Sequence, residues 1–221
     1  LRVSEPLSGN IGATTSQLIT IDTLSPTSTI AIDNIATDSG SSATDFVTND
    51  NNGLTISATL SSGLAAGEIL EYSKDNGATF TDISRSVTGT AIVHADAGLT
   101  SSNTIQFRVT DVAGNNGTTA SQLVTIDTTA PVTTISIDSV SVDSGSSAID
   151  FITNDNNGLT INATLSTGLA TGEILEYSAD DGLTFTDITS SVTGTAITHT
   201  DAGLTSTGTI QFRVTDAAGN N

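Results

Sequence analysis

Thr37–Thr55 reads TDSGSSATDFVTNDNNGLT, with Asp38, Asp45 and Asp50 and no basic side chain to neutralise them. A near-copy, VDSGSSAIDFITNDNNGLT, spans Val142–Thr160 and repeats the acids as Asp143, Asp150 and Asp155. Carboxylates gathered in one loop repel each other, and a hard divalent cation removes that repulsion. Ca²⁺ takes roughly 6–8 oxygens from carboxylates, amides, backbone carbonyls and water. The Asn and Gly residues beside the acids suit this chemistry, as amide-oxygen donors and tight-turn formers. Mg²⁺ tolerates crowded, irregular cages poorly. Zn²⁺ is disfavoured because the chain has no cysteine and only two histidines. Asp, Asn, Ser and Gly are also ordinary turn residues; the grouping without Lys or Arg is what favours calcium. The run Asn49–Gly53 is not an EF-hand loop, since Thr48 and Thr59 stand where its first Asp and last Glu belong.

Other reactive side chains offer less. Asp75 and the Asp180–Asp181 pair fall in a hairpin turn and read as solvated. Glu68 and Glu71 flank a strand at a spacing too loose for acid/base work. His94 and His199 have no cysteine or nucleophile partner and read as strand histidines at a core edge. No nucleophile elbow, phosphate loop or zinc-protease motif occurs, so no enzyme is expected. A Lys–Asn crosslink is excluded for the second acidic copy, because the only lysine, Lys74, becomes Ala179 there.

The elements that position the acids come in duplicate. Residues 21–116 and 126–221 align without gaps at an offset of 105, and 72 of 96 positions are identical. The N-terminal RVSEPLSGNIGATTSQLITIDT matches RVTDVAGNNGTTASQLVTIDT from Arg108 with one inserted residue. The expected domains are therefore 1–20, the end of a preceding repeat with an orphan last strand; 21–125, a first repeat; and 126–221, a second repeat lacking its last strand. The chain reads as a window cut from a longer array.

Each repeat alternates with period two. LTISATL sets Leu54, Ile56, Ala58 and Leu60 on one face, and TIQFRVT does the same with Ile105, Phe107 and Val109. TIAID, ILEYS, TFTDI, TAIVHA and QLVTID supply five more strands, and Asn76-Gly77 suits a positive-φ hairpin turn. No stretch shows helical periodicity. About seven short strands in ~100 residues indicate an all-β, Ig-like two-sheet sandwich in tandem, without a disulfide. Phe46, Tyr72, Phe80 and Phe107 are the expected aromatic core. In such a sandwich the loop after the first strand lies at the C-terminal end. The loop before the last strand lies at the N-terminal end. Asp38, Asp45 and Asp50 should then face the linker at Asp127, with Asp216 arriving from the other side, all five at one junction.

With 24 acidic and 5 basic residues the net charge is −19. That opposes nucleic acid and anionic membranes as partners, both of which need a basic surface. No apolar run approaches the ~18 residues of a membrane span, and the first residues show no signal pattern.

The phrases VTIDTTAP, TDSGSSATDFVTNDNNGLTI, LEYSKDNGATFTDI and QFRVTDVAGNNG resemble the tandem Ig-like repeats of giant, type I-secreted bacterial surface and biofilm adhesins. The resemblance covers the whole chain. It implies extender repeats at an extracellular cell surface, projecting an adhesive region, with Ca²⁺ near the domain junctions stiffening the rod. Carried over, Asp22 and Asp127 match the linker acid, Asp38 and Asp143 the DSG acid, and Asp111 and Asp216 the acid before the last strand. Asp45, Asp50, Asp150 and Asp155 match the DF[VI]TND pair. The first linker departs from the pattern, reading DTLSP instead of DTTAP.

The leading expectation is a structural extender whose partners are identical neighbouring repeats. The alternative is an extracellular fibre subunit that self-associates by donor-strand complementation, the orphan SQLITIDT of one chain completing the last repeat of the next. A glycan- or protein-binding module would expose aromatics, and with six Phe, two Tyr and no Trp few are spare.

Overall fold

The computed structural model describes residues 12–221; residues 1–11 of the expected preceding-repeat piece, 1–20, lie outside them. The chain is nearly all-β. In the first repeat the strands are β1 (Ile30–Ile35), β2 (Val47–Thr48), β3 (Leu54–Leu60), β4 (Ile69–Ser73), β5 (Thr81–Asp82), β6 (Val87–Thr88), β7 (Ala91–Asp96), β8 (Asn103–Thr110) and β9 (Ala120–Ile126). In the second they are β10 (Ile135–Val140), β11 (Leu159–Leu165), β12 (Ile174–Ser178), β13 (Thr186–Asp187), β14 (Val192–Thr193), β15 (Ala196–Asp201) and β16 (Gln211–Thr215). The only helical turns among the described residues are two 3₁₀ segments, Ser84–Ser86 and Thr189–Ser191. No helix among them is long and apolar enough to cross a membrane.

Four sheets result. The first repeat has a four-stranded sheet, β1-β3-β7-β6, and a five-stranded one, β2-β9-β8-β4-β5. The second repeat repeats the four-stranded sheet as β10-β11-β15-β14, but its other sheet has only three strands, β13-β12-β16. All pairings are antiparallel except β2 with β9, which run parallel. A register shift between Ile32 and Asn34 recurs between Ile137 and Ser139. The β4–β5 hairpin turns at Asn76 and Gly77, with φ of 57° and 85°; only a residue tolerant of the left-handed region fits there.

Alternation of side chains drives the packing. Leu54, Ile56, Ala58 and Leu60 of β3 point inward to meet Ile105, Phe107 and Val109 of β8 in one core, joined by Val124 of β9. A second core gathers Ile161, Ala163, Leu165, Leu175, Ile197 and Val214. Burying such side chains is the main stabilising term, about 1.5–3 kcal/mol for each large one.

Of the expected aromatic core, Phe46, Tyr72 and Phe107 are buried, but Phe80 is not. Its ring lies on the partly exposed outer face, where the Arg108 guanidinium sits 3.8 Å from its centroid and gains a cation–π contact. Glu71 also departs from the expectation. It lies within β4 and receives the Arg108 Nε–H at 2.7 Å and the Thr110 hydroxyl at 2.6 Å. Glu176, Arg213 and Thr215 repeat this cluster. Burial pushes the Glu71 carboxyl up, but Thr110 and Arg108 outweigh it and hold it below the ordinary glutamate value.

Candidate functional site

The acidic loop folds around its own first carboxylate. Asp38 Oδ2 accepts the Phe46 N–H at 3.1 Å, which fixes the chain while Phe46 takes a left-handed φ of 61°. A bulky residue in that region costs on the order of 1–3 kcal/mol and needs surrounding structure to hold it. Here the carboxylate and the burial of the Phe46 ring do so. Asp143 binds the Phe151 N–H at 3.0 Å with Phe151 at φ 60°, so the device occurs in both repeats.

The other oxygen of each of these carboxylates has no partner. Asp38 Oδ1 and Asp143 Oδ1 are the buried side-chain oxygens left unpaired among the described residues. A buried acceptor without a donor costs about 1–3 kcal/mol. Burial raises the Asp38 carboxyl above its ordinary value; the Phe46 N–H opposes this, and the neighbouring Asp45 carboxylate reinforces it. Asp45 caps Val47 N–H at 3.1 Å, and Asp150 caps Ile152 N–H at 3.2 Å. The Asp38 carboxylate, with an orphaned oxygen and the Asp45 carboxylate beside it, offers two of the oxygen donors a hard cation takes; Asp143 has the same orphaned oxygen. Asp38 with Asp45, and Asp143 with Asp150, are the residues that could hold Ca²⁺.

The loop, the linker and the terminal loop of the second repeat meet in space. β2 lies along β9, with Thr125 N–H donating to Phe46 O and Asp127 N–H to Thr48 O, both at 2.9 Å. Ser39 Oγ–H donates to Ala218 O at 2.5 Å. Gly40, at φ 88°, lies so close to Ala217 that a Cβ there would stand 1.9 Å from its carbonyl oxygen, so no other residue fits. The equivalent Gly145 has open space around it.

The carboxylates themselves do not converge as expected. Among the described residues no three acidic or histidine side chains gather into a metal-sized group. Asp50 and Asp155 each close a local turn onto the N–H of Asn52 and Asn157. Asp22 and Asp127 do likewise onto Leu24 and Thr129. Asp216 and Asp111 are engaged by an asparagine four residues later. Asn220 donates its backbone N–H and its amide to Asp216, both at 2.9 Å, and also donates its amide to Asp127 O at 2.9 Å. Asn115 does the same for Asp111 and for Asp22 O, the latter at 3.1 Å. Its amide holds the Asp111 carboxyl below the ordinary aspartate value. Short-range hydrogen bonds thus satisfy acceptor oxygens of these acids locally. Asn115 and Asn220 escaped sequence reasoning, although an Asn four residues after an Asp in both repeats was the available signal.

His94 stacks on Tyr72 with centroids 4.7 Å apart, and His199 on Tyr177 at 4.5 Å. Both are half-buried strand residues, and burial lowers their basicity.

No protein-family model matches the chain, and no curated protein is similar to it.

Proposed function

We propose that the chain is a piece of a bacterial surface adhesin, built of tandem Ig-like sandwiches that act as extracellular extenders stiffened by Ca²⁺ at or near their junctions. Residues 21–125 and 126–221 are then successive sandwich domains, each with a two-sheet core. The observation that carries the reading is the recurrence of one linker lock, Asn115 to Asp22 O and Asn220 to Asp127 O, at an identical separation of 93 residues. The clamp pins the linker at the head of each unit to that unit's own terminal loop, and Ser39 Oγ–H to Ala218 O ties the first unit to the second, as a spacer requires. The orphaned oxygen of Asp38, whose neighbour Ser39 bonds Ala218 O, supports a cation beside the Asn220–Asp127 clamp. Bound metal supplies positive charge there; the chain's own residues supply the stiff loop that presents the carboxylates.

Small-angle scattering of the chain with calcium and with EDTA tests this. Calcium is expected to lengthen the particle and narrow its spread of conformations. Superimposable profiles in the two conditions would refute the stiffening.

A further inference from the structure

Four Asn-Gly pairs occur in the chain: Asn52-Gly53, Asn76-Gly77, Asn116-Gly117 and Asn157-Gly158. In such a pair the backbone nitrogen of the glycine is placed to attack the asparagine side-chain carbonyl, because the glycine has no side chain to shield it. The fold treats the four pairs differently. Gly77 N–H donates to Ser73 Oγ at 2.9 Å, and Asn76 Oδ1 accepts the Gln106 amide at 3.2 Å. Gly117 N–H donates to Val109 O at 2.8 Å, and Asn116 Oδ1 accepts the Thr110 hydroxyl at 2.8 Å. At these two pairs both reacting groups are held by other partners.

The pairs in the acidic loops are not held in this way. Among the described residues the N–H groups of Gly53 and Gly158 and the side-chain amides of Asn52 and Asn157 make no hydrogen bond, and both asparagines are exposed. Only the asparagine backbone is tied, its N–H donating to Asp50 at 3.1 Å in one repeat and to Asp155 at 3.2 Å in the other. The side chain is left free to turn onto the next nitrogen. The glycines themselves are fixed by packing. A Cβ on Gly53 would stand 2.6 Å from Ala97 Cα, and one on Gly158 2.7 Å from Ala202 Cα. The close approach of the loop to the end of β7 or β15 thus keeps the reactive pair in both repeats.

We propose that Asn52 and Asn157 are sites of spontaneous deamidation, with water as the co-reactant. Gly53 N loses its proton to solvent base and bonds to Asn52 Cγ. The Cγ–Nδ2 bond breaks, and the amide nitrogen leaves as ammonia with a proton returned from solvent. Water then opens the cyclic imide at either carbonyl, giving aspartate or an isoaspartate in which the chain runs through the side-chain carbon. Asn157 and Gly158 react in the same way. Each event adds one negative charge two residues from Asp50 or Asp155. The isoaspartyl product also inserts one backbone carbon at the approach to β3 or β11, whose first residues, Leu54 and Leu159, are buried. The acidic loops are therefore where the chain ages first. The reaction involves no metal and stands apart from the calcium reading.

The test follows all four pairs in one sample. The folded chain is incubated in EDTA at mildly alkaline pH, sampled over time and digested with pepsin in acid. Mass spectrometry locates each converted amide, and chromatography separates aspartyl from isoaspartyl peptides. A parallel incubation in guanidinium supplies the unfolded rate at each pair. Asn52 and Asn157 should keep most of their unfolded rate in the folded chain. Asn76 and Asn116 should slow by roughly threefold to tenfold, the factor set by one hydrogen bond retained on the attacking nitrogen. Conversion of Asn76 or Asn116 as fast as Asn52 and Asn157 in the folded chain overturns the proposal. So does protection of Asn52 or Asn157 on folding by as large a factor as the other two pairs show.

Discussion

Phe46 and Phe151 are the same residue in the same loop, and truncating them should cost different amounts. They share a left-handed backbone, φ 61° and 60°, and a carboxylate bond to the N–H, so both contributions cancel in the comparison. What differs is burial, 7% exposed against 47%. An aromatic side chain presents ~200 Å². A 40-point difference in exposure is therefore worth about 80 Å², or about 2 kcal/mol at ~25 cal/mol per Å². Phe46→Ala should cost about 4 kcal/mol, within the range for buried phenylalanines, and Phe151→Ala about 2. Tyr72 and Tyr177 are the only tyrosines and there is no tryptophan, so each repeat has one intrinsic fluorophore. Guanidinium unfolding in a Tyr177→Phe background reads Phe46→Ala, and in a Tyr72→Phe background reads Phe151→Ala. Equal costs, or a larger cost for Phe151→Ala, would refute the claim that the first ring is buried and the second half open.

Glu71→Gln leaves the partly buried Arg108 without its counter-charge and should lower unfolding stability by about 2 kcal/mol, measured by urea denaturation. Burial holds His94 and His199 below the unfolded value of 6.5. The unfolded chain therefore takes up protons at higher pH than the folded one. Stability from these sites is complete above about pH 6.5 and falls as pH drops through the folded value. The urea midpoint should decline as pH drops below about 6.5, and a His94→Gln, His199→Gln variant should lose that part of the decline.

Much of the fold was legible because it rests on period-two alternation. LTISATL became β3 without a change of boundary, and TIQFRVT became β8 with one residue added. β2 and β6 were not legible. Two-residue strands have no periodicity, and β2 is a strand because β9 runs beside it; its near-copy at Ile152-Thr153 is not one. Phe80 misled because aromatic character alone cannot distinguish a core face from an outer face carrying an arginine. At the junction, topology brought the Asp38 loop, the Asp127 linker and the Asp216 loop together as the strand order requires. Charge counting misplaced the carboxylates, since it overlooked that backbone N–H groups and the amides of Asn115 and Asn220 satisfy acids over a few residues. What local bonds leave unsatisfied is one oxygen each on Asp38 and Asp143.

Calorimetric titration of the chain with calcium, beside an Asp38→Asn, Asp143→Asn variant, tests the central claim most directly. Saturable binding heat is expected in the natural sequence, and its loss in the variant, with circular dichroism unchanged. Absence of binding heat in the natural sequence, or the same isotherm in both, would contradict it.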